Sequence, residues 1–466
     1  MKYKNILFFL ILSFFIFSLC YIFYRSEIVN NGLIRTNYIK YYILSFISLL
    51  ALIFIKNFNE KLSKFFFFFL SILISFIYFC EIFFIYSDYK ISKARINYFK
   101  SYLKDYGIDY EQRDKFELYL DLKKTGQDIS LSVDPYHFLK DEEEIFPLSS
   151  FANKETILCN EYGLLSTYKS DRYGFSNPDH EWDNEVDYLL IGDAFAHGNC
   201  VRQKDSIAGQ LRKMNNGKGV LNLGFGGSGP LIEYAQLREY LEFIKPRRVL
   251  WLYSETDDLS GPDYRDPNKF EGLESELSNK ILKKYLMYPD FSQELTKKQK
   301  LINQLLSKKN NKILDMILRN KKNKSEHKLI SFIKLTHFRN YLFSSLSKKR
   351  FKTNQKISNE FKKIINDTSQ ILKKKNIEFY FIYITDVDRY SKSKFDITEN
   401  DYVEVKNFIL SNKNIKFIDL HQELFKNYDN EPLSLFVKQF RNDYQHFNIL
   451  GYKLVTEKIY EIINNN

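Results

Sequence analysis

The stretch Val186–Cys200, VDYLLIGDAFAHGNC, constrains the fold of this chain more than any other. Tyr188 to Ile191 form an apolar run with no polar alternation, which predicts a strand buried on both faces of a parallel sheet. Gly192-Asp193-Ala194 at its carboxyl end predicts a tight turn into a helix, the place where open α/β sheets hold their ligands. The pattern then repeats. Asp205–Met214 predicts an amphipathic helix with Ile207, Ala208 and Leu211 on one face, and Gly219–Leu223 a second strand. Pro230 opens a helix over Leu231–Phe243, and Arg248–Tyr253 is a third buried strand. A βαβαβ order with short connections predicts a parallel sheet with helices on its faces. The glycines Gly224, Gly226, Gly227 and Gly229 are not followed by the Gly-Lys-Ser/Thr of a phosphate loop.

Four blocks of this chain, in order, resemble the SGNH/GDSL hydrolases. LLIGDAFAHG is similar to the family's first block, an apolar strand followed by Gly-Asp-Ser. LNLGFGGSGP (Leu221–Pro230) is similar to the second, with Gly227 at the oxyanion glycine. VLWLYSETDDL (Val249–Leu259) resembles the third, with Thr256-Asp257-Asp258 where the family carries Gly-x-Asn-Asp. DYQHFNILGY (Asp443–Tyr452) resembles the last, Asp-x-x-His, through Asp443 and His446. The Asp-Arg-Tyr-Gly-Phe-x-Asn-Pro stretch at Asp171–Pro178 resembles one that precedes the first block in membrane-tethered relatives. The resemblance covers roughly Cys159 to the C-terminus and implies a three-layer α/β/α flavodoxin-like domain that hydrolyses or transfers acyl esters.

It also implies the site. Ester hydrolysis on this frame needs a serine activated by a histidine, itself oriented by an aspartate, and donors for the oxyanion. His446 and Asp443 supply the base and its partner, and the backbone N–H groups of Ala194 and Gly227 two oxyanion donors. Gly192, Asp193 and Asp258 support the turn and the third block. Two positions depart from the pattern. Ala194 stands where the nucleophile serine belongs, and Asp257 replaces an asparagine donor with a group that, when ionised, only accepts. Loss of the nucleophile alone leaves ~10³–10⁴-fold acceleration over water. Ser176 and Ser228 do not lie on the turn, His197 is expected at a surface or helix start, and Asp193 is expected to hold the turn. Arg172 and Asn177 are expected in a structural hairpin rather than the pocket. No metal or organic cofactor is implied. The sequence is compatible with three activities: a degenerate binding or scaffolding module, an ester hydrolase or acyl transferase that has lost its nucleophile, or an enzyme using water with an altered mechanism.

The N-terminal part has a different texture. Asn5–Tyr24 is free of charge and long enough at ~1.5 Å per residue to cross a ~30 Å hydrocarbon layer. A second such stretch covers 65–86, with Glu81 its only charge, and a shorter one 38–55. Three spans in residues 1–87 would put the C-terminal domain opposite the N-terminus; two would leave it on the same side. Lys2 and Lys4 precede the first span, but Lys90, Lys93 and Arg95 follow the last, so the positive-inside count does not decide. The expectation is an integral membrane protein with its soluble domain outside the cytoplasm.

Residues 88–156 are expected to be a connector of helix and loop, its Asp141–Glu144 run a solvated turn because adjacent carboxylates do not converge on one ion. Residues 157–466 form the hydrolase-like domain, interrupted by a Lys-rich helical insertion over 262–356. Further elements are expected at Asn359–Lys375 (helix), Ile377–Ile384 (strand), Asn400–Leu410 (helix), Ile415–Leu420 (strand) and Asn448–Ile463 (helix). Cys159 and Cys200 either pair in an oxidising compartment or are two buried thiols. The net charge of +12 accompanies many Lys, Asn, Phe and Tyr and fits an AT-rich coding sequence. It also suits an anionic membrane or glycan partner, while no nucleic-acid-binding pattern is present. A lipid bilayer and an acylated small molecule or glycan are the expected partners; the oligomeric state is open.

Overall fold

The computed structural model describes residues 2–29, 35–56, 60–141, 143–255, 258–259, 272–325, 328–346, 351–352, 357–391, 395–396, 399–438, 440 and 446–465. They form two compact units: Met1–Lys90 with Glu326–Leu346, and Ile91–Ser325 with Ser347–Asn466.

The first unit is helical: α1 (Lys2–Phe23), α2 (Arg35–Lys56), the first part of α3 (Glu60–Asp105), and two short helices, α11 (Lys328–Ile333) and α12 (Thr336–Leu346). Phe8 and Ile11 near the start of α1, Leu52 near the end of α2 and Phe67 near the start of α3 form one buried cluster. The helices therefore run up, down and up. Around that cluster the surface is apolar, with Phe17 62%, Phe46 59%, Phe68 64% and Phe79 66% exposed. Phe8–Ile28 and Lys64–Asp105 are long and apolar enough to cross a membrane, and Tyr38–Phe54 is a shorter apolar helix.

The second unit is a mixed α/β domain. Its five-stranded sheet runs β10 (Ile415–Asp419), β8 (Glu378–Ile384), β6 (Arg248–Ser254), β4 (Val186–Gly192), β5 (Gly219–Asn222), every pairing parallel. In chain order this is 2-1-3-4-5, the flavodoxin-like order, whose reversal point lies between β4 and β6. Strand period sorts the side chains. Leu189, Ile191, Val249, Trp251 and Tyr253 face α7 (Pro230–Tyr240), α13 (Asn359–Lys374) and α14 (Glu399–Ser411). Tyr188, Leu190, Leu250 and Leu252 face α5 (Ala194–His197), α6 (Ile207–Met214) and α15 (Ile449–Asn465). Helices thus cover both faces, and the central strands β4 and β6 are buried throughout.

Residues 91–156, expected as a connector, pack into this unit. After α3 comes α4 (Lys115–Lys124), started by a capping box between Asp114 and Glu117. Then β1 (Ile129–Leu131) adds, in parallel, to a hairpin of β2 (Glu155–Asn160) and β3 (Leu165–Lys169). Asp141 and Glu143 of the acidic run pair with Lys309 and Lys308.

The insertion divides. Its described N-terminal part, α8 (Leu273–Glu276), α9 (Lys280–Met287) and α10 (Gln299–Ser325), is bound to α7 by two buried carboxylates. Glu239 accepts from Tyr285 Oη, Ser292 Oγ and the N–H groups of Gln293 and Leu295. Glu276 accepts from the N–H groups of Gly229, Leu231 and Ile232, closing the first turn of α7. The later part, α11 and α12, belongs to the first unit. A two-residue parallel pair, β7 (Phe351–Lys352) and β9 (Phe395–Asp396), completes the second.

Candidate functional site

The turn after β4 is shaped by two glycines and one aspartate. Gly192 has φ +146°, and a Cβ there would lie 2.7 Å from the Leu252 carbonyl oxygen, so no side chain fits. Asp193 caps α5: its Oδ1 accepts from Phe195 N–H at 2.9 Å and its carbonyl from His197 N–H. The residue so placed at the first position of α5 is Ala194, half-buried, with Phe195, Ala196 and His197 beneath it. The glycine loop after β5 packs against this turn, since a Cβ on Gly224 would meet Ala196 Cβ at 2.4 Å. Gly227, at φ +79°, is the half-buried residue of the run Leu221–Pro230; its neighbours are buried.

His197 was expected near the surface. It is 3% exposed, its Nδ1 accepts from Gly226 N–H at 3.1 Å, and its ring contacts Tyr168 and Phe225. Burial holds its pKa down at about 3, so the ring is neutral and acts as a backbone acceptor for the glycine loop. The physical reason is that the four-residue α5 turns its last residue inward, under the loop.

His446 lies two residues before Asn448, whose Oδ1 accepts from Gly451 N–H and caps α15. Its ring is 5.7 Å from that of Phe195, and Tyr452 Oη donates to the Asn199 carbonyl at 3.1 Å. The last block and the first are thereby brought together. Among the described residues, Glu161 places a carboxylate at His446 Nδ1, with Oε1 at 3.0 Å and Oε2 at 3.1 Å. Asp443 and Asp257 lie outside the described residues. A carboxylate on Nδ1 orients the ring and leaves Nε2 as the basic nitrogen.

Glu161 is delivered by the β2–β3 hairpin, which is fastened to the segment after α5. Cys159 and Cys200 form a disulfide with Cα atoms 5.6 Å apart, Tyr162 Oη donates to the Cys200 carbonyl, and Ser166 Oγ to that of Val201. Sequence reasoning missed Glu161 because it is far from His446 in the chain. The available signal was its place two residues after Cys159, whose partner Cys200 follows the turn after β4. The donor atoms of Glu161, Cys200 and His446 lie within 4.8 Å of one another. Bonded to Cys159, the Cys200 sulfur is not a thiolate, so the group offers a metal two donors and is better described as a histidine–carboxylate pair beside a disulfide.

The other singled-out residues are structural. Asp258 is buried; its Oδ2 accepts from Ser254 N–H and its carbonyl from Leu273 N–H. Glu255, beside the third block, accepts from Tyr383 Oη, Asp386 N–H and the Arg389 guanidinium. Ser228 is buried, and Ser176 receives Gln203 Nε2. Asp171–Pro178, expected in a hairpin, forms a turn-rich loop after β3, where Asp171 accepts from Asn177, Trp182 and two backbone N–H groups, and Arg172 pairs outward with Asp179 and Asp183. Asn177 bonds both N–H and C=O of Asn222, tying this loop to β5.

Near the turn, Glu233 on α7 is fully buried and bonded to Trp251 Nε1 at 2.6 Å. Burial first, and then the charges of Asp193 and Glu276, push its pKa well above the usual carboxylate range. The described site thus holds the His446–Glu161 pair, the two turns after β4 and β5, and the methyl group of Ala194 at the first position of α5.

No protein-family model matches the chain, and no curated protein matches it. Among solved structures, it is similar to a protein from Desulfitobacterium hafniense DCB-2 assigned to the lipolytic G-D-S-L family, at 12% identity and TM-score 0.30, covering 59% of this chain and 99% of that one. A likeness at that level decides neither fold nor function.

Proposed function

We propose that this chain is a membrane-anchored SGNH hydrolase-like protein, related to esterases and acyl transferases acting on acylated carbohydrate or lipid, and impaired or inactive in ester hydrolysis. The observation that carries the reading is Ala194 at the start of α5, on the strand–turn–helix where the nucleophile of such a site would stand. His446 with its carboxylate, and the glycine loop with Gly227, keep the frame around it. Loss of the nucleophile with retention of the frame supports a catalytically silent binding module for cell-envelope glycans. The His446–Glu161 pair favours one second reading, a slow hydrolase in which His446 activates water directly. The up-down-up arrangement of α1–α3 supports three spans, and the Cys159–Cys200 disulfide supports an oxidising, extracytoplasmic location for the domain.

The test is p-nitrophenyl acetate hydrolysis by the full chain in detergent, alone and as Ala194→Ser, Ala194→Ser/Asp257→Asn and His446→Ala. The expected result is silence from the native chain, little from the serine variant and turnover from the double variant. Full activity from Ala194→Ser alone would refute drift at Asp257. Native turnover abolished by His446→Ala would establish the water mechanism instead.

A further inference from the structure

We propose that α11 and α12 form a membrane-interface element: a helical hairpin whose apolar edge rests in the headgroup–acyl boundary of a phospholipid leaflet. The inference rests on the reading of α1–α3 as spans. Its starting point is Glu81, fully buried within the apolar stretch of α3. A carboxylate at that position is costly unless paired. Its partners are the N–H groups of His337 at 3.1 Å and Phe338 at 2.7 Å, in the first turn of α12. The end of α12 with unsatisfied donors is thus fixed at the depth of Glu81.

The hairpin follows α3 outward from there. Tyr78 Oη donates to the Ile333 carbonyl at 3.2 Å, and its ring lies 5.3 Å from that of Phe332. Phe84 stacks on Tyr341 at 4.4 Å. His337 Nδ1 lies 2.6 Å from Asp88 Oδ2. From Tyr78 to Asp88 a helix rises ~15 Å, with the deeper contacts apolar and the charged pair at the far end. On α1, Lys334 Nζ sits 4.8 Å from the ring centre of Tyr21, near the carboxyl end of that helix. Tyrosines at one level on two parallel helices match an interfacial belt.

The outer edge identifies the occupant. Ile333 is 42% exposed, Tyr341 55% and Leu342 40%. Tyr341 stacks on Phe84, whose chain neighbour Phe83 is itself 58% exposed on the face assigned to lipid. Exposed Arg339 lies between the fixed turn and this edge, where a lipid phosphate would meet it. An apolar edge continuous with a lipid-facing helix, beside a cation, fits a phospholipid leaflet.

The experiment uses the full chain in phosphatidylcholine/phosphatidylglycerol vesicles, with bromines placed near the headgroup or near the chain ends. Tyr341→Trp and, independently, Leu342→Trp report the hairpin; Phe76→Trp reports the exposed side of α3; emission from the native Trp182 and Trp251 is subtracted. We expect about two-fold quenching of Trp emission at 341 and 342 by headgroup-proximal bromines, as for a helix lying in the interface. Quenching at both hairpin positions by aqueous iodide instead, or shielding from iodide and bromine alike as under a second copy of the chain, would overturn the inference. Deep quenching at 76 with none at 341 and 342 would overturn it while leaving the spans intact. No quenching at 76 would remove the spanning reading itself.

Discussion

His197 offers a prediction in which the structure sets both sign and size. The ring is neutral when folded, with a pKa of about 3 against 6.5 when solvated. The depressed value means that its stabilisation is complete above pH 6.5 and is lost as pH falls towards 3. At pH 4.5 protonated imidazole outnumbers neutral by ~100 to 1 in the unfolded chain, while the folded ring stays almost wholly neutral. That is a penalty of roughly 2.7 kcal/mol, against about 0.2 at pH 7, a difference of ~2.5 kcal/mol. The wild-type profile alone will not show this, because Glu276 runs the other way. Burial raises its pKa to about 7, so its contribution is present at acid pH and lost as pH rises through 7. The comparison is therefore with His197→Asn, whose Oδ1 can still accept from Gly226 N–H. At pH 7 the variant should be less stable by roughly 2 kcal/mol, for the lost ring contacts. At pH 4.5 that gap should shrink by ~2.5 kcal/mol, to nothing or a slight reversal. Urea unfolding followed by tryptophan fluorescence measures it within one unit, since the chain's two tryptophans, Trp182 and Trp251, both lie in the α/β domain. A gap unchanged between the two pH values would refute a neutral, buried His197.

Two further predictions use the same assay. Arg389→Ala should cost about 3–5 kcal/mol, because it strands the Glu255 carboxylate, 2% exposed, among partners that do not neutralise it; a loss below ~1 kcal/mol would mean that water reaches the carboxylate. Replacing Cys159 and Cys200 together by serine opens a bridge across 41 residues and should cost about 4 kcal/mol. The native chain should also show no reactive thiol at either position under non-reducing mass analysis, and free thiols there would contradict the bridge.

Most of the sheet was legible because its strands are continuous apolar runs and its helices have one apolar face. Asn359–Lys374 and Glu378–Ile384 fall within a residue or so of the positions expected from periodicity. What was not legible depends on partners distant in sequence. Ile129–Leu131 is too short to show alternation, and it becomes a strand because Glu155–Ile157 offers it an edge. The connector was expected to hold helix and loop, and its helix proves to be the continuation of α3 to Asp105, where Phe99 and Leu103 are buried among residues of the second unit. His446 was found through its motif, whereas Glu161 became its partner only through the hairpin and disulfide. Burial of His197 could not be read from a four-residue helix with no period of its own.

The two carboxylates that fasten the insertion also decide how far this domain can be simplified. Seen along the chain, the residues after β6 resemble an accessory that could be cut away to leave a minimal flavodoxin-like core. Yet the N-terminal turn of α7, which follows directly on the glycine loop, has Glu276 as its acceptor, and Glu239 on α7 has its donors in the same excursion. Removal would leave backbone donors at one end of α7 and a buried charge along its side. The core can be told apart from the insertion by its pattern, but in this chain it is not separable in physics, and a truncated version would be a different protein rather than a smaller one.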